Sequence, residues 1–158
     1  MTDSRAGLRL SSDTSEMDVD AIHAYLSGES YWARGIPRET VARAVRGSVC
    51  FGVFDGAAQV AFARVVTDRA TFGYLADVYV LQPYRGRGIS KWMMEAVHAH
   101  PELQGLRRWA LVTKDAQALY AQFGWSPVAQ PERHMERTDP GLYMRLAASA
   151  SAAPGEGG

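Results

Sequence analysis

The chain has 158 residues, 47% of them hydrophobic, enough for one domain with a sizeable core. Lys plus Arg number 17 and Asp plus Glu 17, so the net charge is zero; that argues against a general nucleic-acid binder and leaves only a local basic patch open. No run approaches the eighteen or so apolar residues of a membrane span, Met1 to Arg9 lacks a signal-peptide core, and the single cysteine, Cys50, permits no internal disulfide, so a cytoplasmic chain is expected.

Leu8-Arg9-Leu10 alternates and reads as a short strand. Asp13 to Ser15 turns the chain, and Asp18 can cap a helix whose apolar face holds Val19, Ile22, Tyr25 and Leu26, with Gly28 at its end. Glu29 to Gly35 is a loop carrying two large aromatics, Tyr31 and Trp32. Ile36-Pro37 opens a second helix with Val41, Ala44 and Val45 as its buried face, stopped by Gly47. Ser48 to Phe54 is a strand, Asp55-Gly56 a two-residue hairpin turn, and Ala57 to Val66 the returning arm. After a turn at Thr67 to Ala70, Thr71 to Val80 is a third strand, where Val78 and Val80 alternate with Asp77 and Tyr79. Three antiparallel strands before any crossover count against a Rossmann chain, which alternates strand and helix from the outset.

Gln82-Pro83 ends the third strand. Arg85-Gly86-Arg87-Gly88 turns the chain, and Ile89, Trp92, Met93, Ala96 and Val97 follow at helix spacing until Pro101. A helix start leaves backbone N–H groups without partners, and the macrodipole makes that end positive. Glycines let an anion approach the bare backbone, and Arg85, Arg87 and Lys91 add formal charge, which makes a seat for a phosphate or diphosphate. A P-loop requires Gly-Lys-Ser/Thr after its second glycine, where Ile89-Ser90 stand. A dinucleotide fingerprint requires a third small residue, where Lys91 stands.

Arg107 to Val112 reads as a buried strand parallel to the third. Asp115 is placed to cap a helix that Gly124 closes. Trp125 to Val128 begins another strand, with Arg133 to Thr138 or Leu142 to Leu146 as a further one whose register stays open. Residues 147–158 read as a disordered tail after a domain spanning 1–146.

Arg85-Gly86-Arg87-Gly88-Ile89-Ser90, after a strand and opening a helix, resembles the acetyl-coenzyme A turn of the GNAT family of N-acetyltransferases, with Ser90 where a glycine or alanine is usual. Asp115 to Trp125, a short helix carrying Tyr120 and ending in Gly124-Trp125, resembles that family's second landmark. The resemblance covers roughly Tyr31 to Glu136. It implies an α/β (α+β) fold: a mixed, mostly antiparallel twisted sheet of six to seven strands with about four helices on both faces. It implies acetyl-CoA as co-substrate, seated at Arg85, Gly86, Arg87, Gly88, Ile89 and Ser90, its pantetheine arm bonding to exposed backbone at Val78, Tyr79 and Val80 as an added strand would. A backbone N–H near Tyr79 or Val80 would stabilise the oxyanion.

Tyr120 takes, by the same resemblance, the role of acid for the departing thiolate, beside a cofactor contact; a phenol of pKa about 10 keeps its proton at neutral pH. The competing role is packing beside Leu119 and Phe123. Asp77 is the candidate base, the alternatives being a structural pair with an arginine or an ordered water chain. Cys50, between Val49 and Phe51 without an adjacent base, reads as a small hydrophobe and not a nucleophile. Tyr31 and Trp32 lie where the family builds its acceptor wall, the alternative being a lid packed on the core. No metal is expected: His98 and His100 do not share a helix face, and no Cys-x-x-Cys or His-Glu-x-x-His pattern exists. The expected activity is direct acetyl transfer to a primary amine of a small molecule or protein. No nucleic acid or membrane partner is expected, and homodimer pairing through the terminal strands is allowed. A non-catalytic acyl-CoA sensor on the same fold and a nucleotide-binding domain are the rivals.

Overall fold

The computed structural model of the chain describes residues 5–152. Two compact units are present: the residues up to Met17 with Val45–Ala129, and Asp18–Ala44 with the chain from Gln130 on.

The first unit is built on a five-stranded sheet in the order β1 (Leu8–Ser11), β2 (Val49–Asp55), β3 (Ala58–Thr67), β4 (Phe72–Val80) and β5 (Arg108–Leu111). The first four strands are antiparallel neighbours and β5 is parallel to β4. Asp55 pairs with Ala58, so Gly56 and Ala57 form the hairpin loop and Asp55 closes it. β2 and β3 are apolar on both faces, with Phe51, Val53, Val60, Ala61, Phe62 and Val65 at 1% exposure or less. Burial on both faces explains why they read as continuous β-formers and not as alternation. Helix α3 (Ile89–Ala99) covers β2 and β4 with Ile89, Met93, Met94 and Val97, all buried. The turn before β4 is fixed by Asp68, whose carboxylate accepts from the N–H groups of Ala70 (2.9 Å) and Thr71 (2.7 Å) and from the Thr71 hydroxyl (2.6 Å). Those bonds hold its pKa well below the usual carboxylate range.

The second unit holds α1 (Val19–Gly28), most of α2 (Arg38–Arg46) and α5 (Leu142–Ala152). Asp18 caps α1, its side chain accepting from Ala21 N–H at 3.0 Å, as the sequence predicts. His23 Nε2 lies 3.0 Å from the Ile36 carbonyl, and Gly35 N–H donates to Ser27 O at 3.1 Å. A side chain at Gly35 would meet Met144 Sδ at 2.9 Å, so α5 and this loop pack backbone to side chain.

Four expectations are corrected. The sheet has five strands, not six or seven, and five α-helices accompany it among the described residues. Trp125 to Val128 and Arg133 to Thr138 form no strand, and Leu142 to Leu146 is helical. The helix continues to Ala152, so 147–152 is not a disordered tail; 153–158 lie outside the described residues. Alanine-rich sequence has the highest intrinsic helix propensity, and an ion pair between Asp139 and Arg145 spans the first turn of α5. Finally, β5 is half-buried at most, with Val112 beyond it 83% exposed.

Candidate active site

Between β4 and α3 the chain makes a 3-10 turn, Gln82–Tyr84, tied to the sheet by Leu81 N–H donating to Val60 O at 2.9 Å. Gly86 and Gly88 follow with φ of +79° and +75°. A Cβ at either would meet nothing within 4 Å, so the left-handed backbone and not crowding is what calls for glycine. Gly88 is the N-cap of α3, no side chain caps that end, and the first intrahelical bond runs from Trp92 N–H to Gly88 O at 3.0 Å. The amides of Ile89, Ser90 and Lys91 therefore lead the helix, at the positive end of its dipole.

They open on a cavity of about 250 Å³. Val80, Arg85, Gly86, Gly88, Ser90 and Lys91 line it from one side, and Leu119 of α4 (Gln117–Ala121) and Gln122 just past its end on the other. Arg85 Nε donates to the Val80 carbonyl at 2.9 Å, which holds a guanidinium at the mouth. Arg87 does not line the cavity; its guanidinium lies over the Tyr84 ring at 5.6 Å, and the Tyr84 hydroxyl donates to Asp55 at 2.6 Å. Ile89 is buried and anchors the helix by its side chain.

β4 is paired on both edges over only part of its length. It pairs with β5 only over Phe72 to Leu75, so from Ala76 to Val80 the β5 side of the strand is open. Opposite, β3 is interrupted: Arg64 pairs with Ala76 and Phe62 with Tyr79, leaving Asp77 and Val78 against Ala63 in a β-bulge. Asp77 has φ +55°, uncommon for a side-chain-bearing residue. Arg64 Nε donates to Asp77 Oδ2 at 2.6 Å in a largely buried ion pair, with side-chain exposures of 19% and 10%, and a second Arg64 nitrogen donates to Ser48 Oγ at 3.2 Å. Tyr79 is buried with its ring 6.1 Å from Phe62.

Cys50, fully buried, donates weakly to Val45 O (3.4 Å). Burial pushes its thiol up to about 12, with Asp77 adding to the rise and Arg64 opposing it, which removes it from nucleophilic work.

Tyr120 is 7% exposed on α4. Asp115 is not the cap of that helix; Ala116 is, with its N–H donating to Thr113 Oγ1 at 3.1 Å. The helix closes in a Schellman motif: Gly124 N–H (φ +87°) donates to Ala121 O at 3.2 Å and Trp125 N–H to Tyr120 O at 3.3 Å. That motif sets Trp125 against Tyr120, ring centroids 6.0 Å apart. Tyr120, Trp125, Trp109 and Leu111 line a second cavity of about 400 Å³ on the β5 side of α4. Within the first unit the predicted site residues, Arg87 apart, thus fall in three groups. Val80, Arg85, Gly86, Gly88, Ile89 and Ser90 share the smaller cavity, Asp77, Val78 and Tyr79 form the bulged strand leading to it, and Tyr120 faces the larger cavity. Tyr31 and Trp32 belong to the other unit, 56% and 39% exposed, with rings edge-to-face at 5.0 Å. Sequence reasoning missed Arg64, whose partner is 13 positions away, and Leu119 and Gln122, whose three-residue spacing at the end of α4 was the available signal. Among the described residues no cluster of three His, Cys, Asp or Glu gathers to hold a metal ion.

The mixed sheet thus parts after Leu75, and an uncapped glycine-led helix stands at the end of the parting strand. Residues 46–127 match the family model described as an acetyltransferase (GNAT) domain. A Gibberella zeae protein named as a putative acetyltransferase is 34% identical over 140 residues, 75% of this chain and 78% of that protein. A Xanthomonas campestris crystal structure described as a putative acetyltransferase of the GNAT family is 53% identical, covers 86% of this chain and 96% of that one, and superposes with a TM-score of 0.84. At 17% identity and TM-score 0.59, a Clostridium acetobutylicum structure described as a predicted acetyltransferase with acetyl-CoA shares the fold, over 83% of this chain and 94% of that one. The chain belongs to the GNAT acetyltransferase family.

Proposed function

We propose that the protein is an acetyl-CoA-dependent N-acetyltransferase that passes the acetyl group directly to a primary amine in a ternary complex. The observation that carries this reading is the start of α3: bare amides behind two left-handed glycines, with Arg85 and Lys91 beside them, facing a cavity at the end of a strand open on one side. A diphosphate fits that donor set. When bound, acetyl-CoA supplies the thioester carbonyl; the rest is the work of side chains and backbone.

Leu81 N–H points at β3, so by strand alternation the N–H groups of Val80 and Val78 face the open side and that of Tyr79 faces β3. Val78 and Val80 are then the backbone positions that align the pantetheine arm, and Val80 N–H is the oxyanion donor. Tyr120 gives its proton to the departing thiolate. Of the roles open to Asp77, its bond to Arg64 favours that of a strut for the bulge, with the amine proton leaving through water. Tyr31 and Trp32 offer aromatic surface to the acceptor.

Calorimetry with acetyl-CoA, ATP and NAD, followed by thiol release over a panel of small amines and amino-terminal peptides, tests the proposal. Acetyl-CoA should bind, ATP and NAD should not displace it, and at least one amine should drive thiol release. Binding of acetyl-CoA with no turnover across the panel would instead favour a sensor module. Preference for ATP or NAD would discard the seat altogether.

A further inference from the structure

His98 stands in the last turn of α3 among aromatic rings. Trp109 of β5 lies 5.2 Å away, Phe123 stacks at 5.8 Å with an interplanar angle of 21°, and Trp125 lies at 5.9 Å. The Trp125 indole Nε1–H donates to His98 Nε2 at 3.1 Å. An indole nitrogen only donates, so Nε2 is the bare nitrogen and the neutral ring carries its proton on Nδ1. An imidazolium would set one N–H against another, and the bond would be lost. Trp125 is in turn joined to Tyr120 by the backbone bond of the Schellman motif and by ring contact at 6.0 Å.

We propose that His98 is a positioning residue: as a neutral imidazole it fixes Trp125 against Tyr120, and protonating it releases that wall of the site. This rests on the reading of Tyr120 as the leaving-group acid. The elements packed on the ring present no formal charge to it. Trp109 comes from β5, Phe123 and Trp125 from the turn after α4, and the Tyr120 phenol of α4 stands behind Trp125. Charged neighbours along the chain are engaged elsewhere: Glu95 with Arg5 at 3.9 Å, Glu102 with Arg69 at 3.2 Å, and Arg108 over Phe72 at 5.7 Å. His100, the other titratable group nearby, accepts from Glu102 N–H through Nδ1 at 3.1 Å. Burial alone lowers the His98 pKa from its ordinary 6.5. The neutral, bonded ring is thus the form at pH 7, and the stability it contributes is lost as pH falls below about 6.5, where the unfolded chain takes up the proton first.

The test uses three variants of the full chain and two readouts. His98→Leu, which removes the acceptor, should lower kcat about tenfold with the acetyl-CoA KM within about twofold, the signature of a misplaced acid and not of a lost binding contact. His98→Gln offers an amide oxygen that does not titrate; it should recover most of that loss and flatten the fall of kcat below pH 6.5. The amine's own protonation bends both profiles alike, so the difference between wild type and His98→Gln is what is read. Independently, the Trp125 indole N–H resonance should titrate below pH 6.5 in the wild type and stay fixed in His98→Gln. Tyr120→Phe separates the two ideas. Wild-type kcat in that variant discards Tyr120 as the acid, while the indole titration still judges the His98–Trp125 tie. An indole resonance indifferent to pH, or a His98→Leu enzyme with unchanged kcat beside an impaired Tyr120→Phe, overturns the proposal.

Discussion

The two side chains proposed for the chemistry, Tyr120 and Asp77, differ in their surroundings. Tyr120 belongs to the same buried core cluster as Val80 and Ile89, so its removal has a structural and a chemical part. Tyr120→Phe keeps the packing and deletes the proton. Turnover should fall about a hundredfold, the usual scale for a lost general acid, with the acetyl-CoA KM little changed. Steady-state kinetics at pH 7.5 check this, and unchanged kcat removes Tyr120 from the reaction. Asp77 is the opposite case. With Oδ2 held by Arg64 at 2.6 Å, Asp77→Asn should keep kcat within about tenfold of wild type yet lower stability by about 3 kcal/mol, because Arg64 is left as a largely buried charge without its counter-ion. A urea midpoint that does not move, joined to a loss of turnover above a thousandfold, would make Asp77 the base after all.

At the scale of elements, the proposed function rests on the start of α3. Gly88 at φ +75° has open space around its Cα, so Gly88→Ala isolates the backbone cost, about 1–2 kcal/mol for a side chain held in the left-handed region. The helix can relieve this only by moving its leading amides. Acetyl-CoA affinity should therefore drop about tenfold while α3 still folds, and Gly88→Asn should recover part of it. Paired calorimetry and circular dichroism decide the matter. This turn was legible in the sequence because everything it needs is local: two glycines, basic residues and an amphipathic run. The Asp18 cap and the β2–β3 hairpin were legible for the same reason. The C-terminal segment was not. Leu142, Tyr143, Met144 and Leu146 fit a strand as well as a helix, and the packing of Tyr143 and Met144 on Gly35, more than a hundred positions away, is a contact that no periodicity announces. Nor were the Arg64–Asp77 strut, which crosses a bulge, and the His98–Trp125 bond, which joins a helix to a turn 27 positions on. In both, the partners are brought together by the sheet and not by the chain.

Across the whole molecule, charge balance leaves the pH dependence of stability to a few buried groups. Equal numbers of acidic and basic residues and a pI near 6.9 mean little net self-repulsion at neutral pH. On the alkaline side one such group is Cys50. Unfolded, its thiol ionises at the ordinary 9.0; folded, burial holds it to about 12. Between those values the unfolded chain has released a proton that the folded chain keeps, so the unfolding free energy falls as pH rises. By pH 11 the gap covers about two pH units, on the order of 2–3 kcal/mol. Cys50→Ala removes this dependence, and the cavity it leaves costs the same at every pH, so it cancels from the slope. Urea denaturation at half-unit steps from pH 8 to 11 should give a wild-type curve that declines more steeply than that of Cys50→Ala by about this amount. Parallel curves would mean that the thiol reaches water in the folded state.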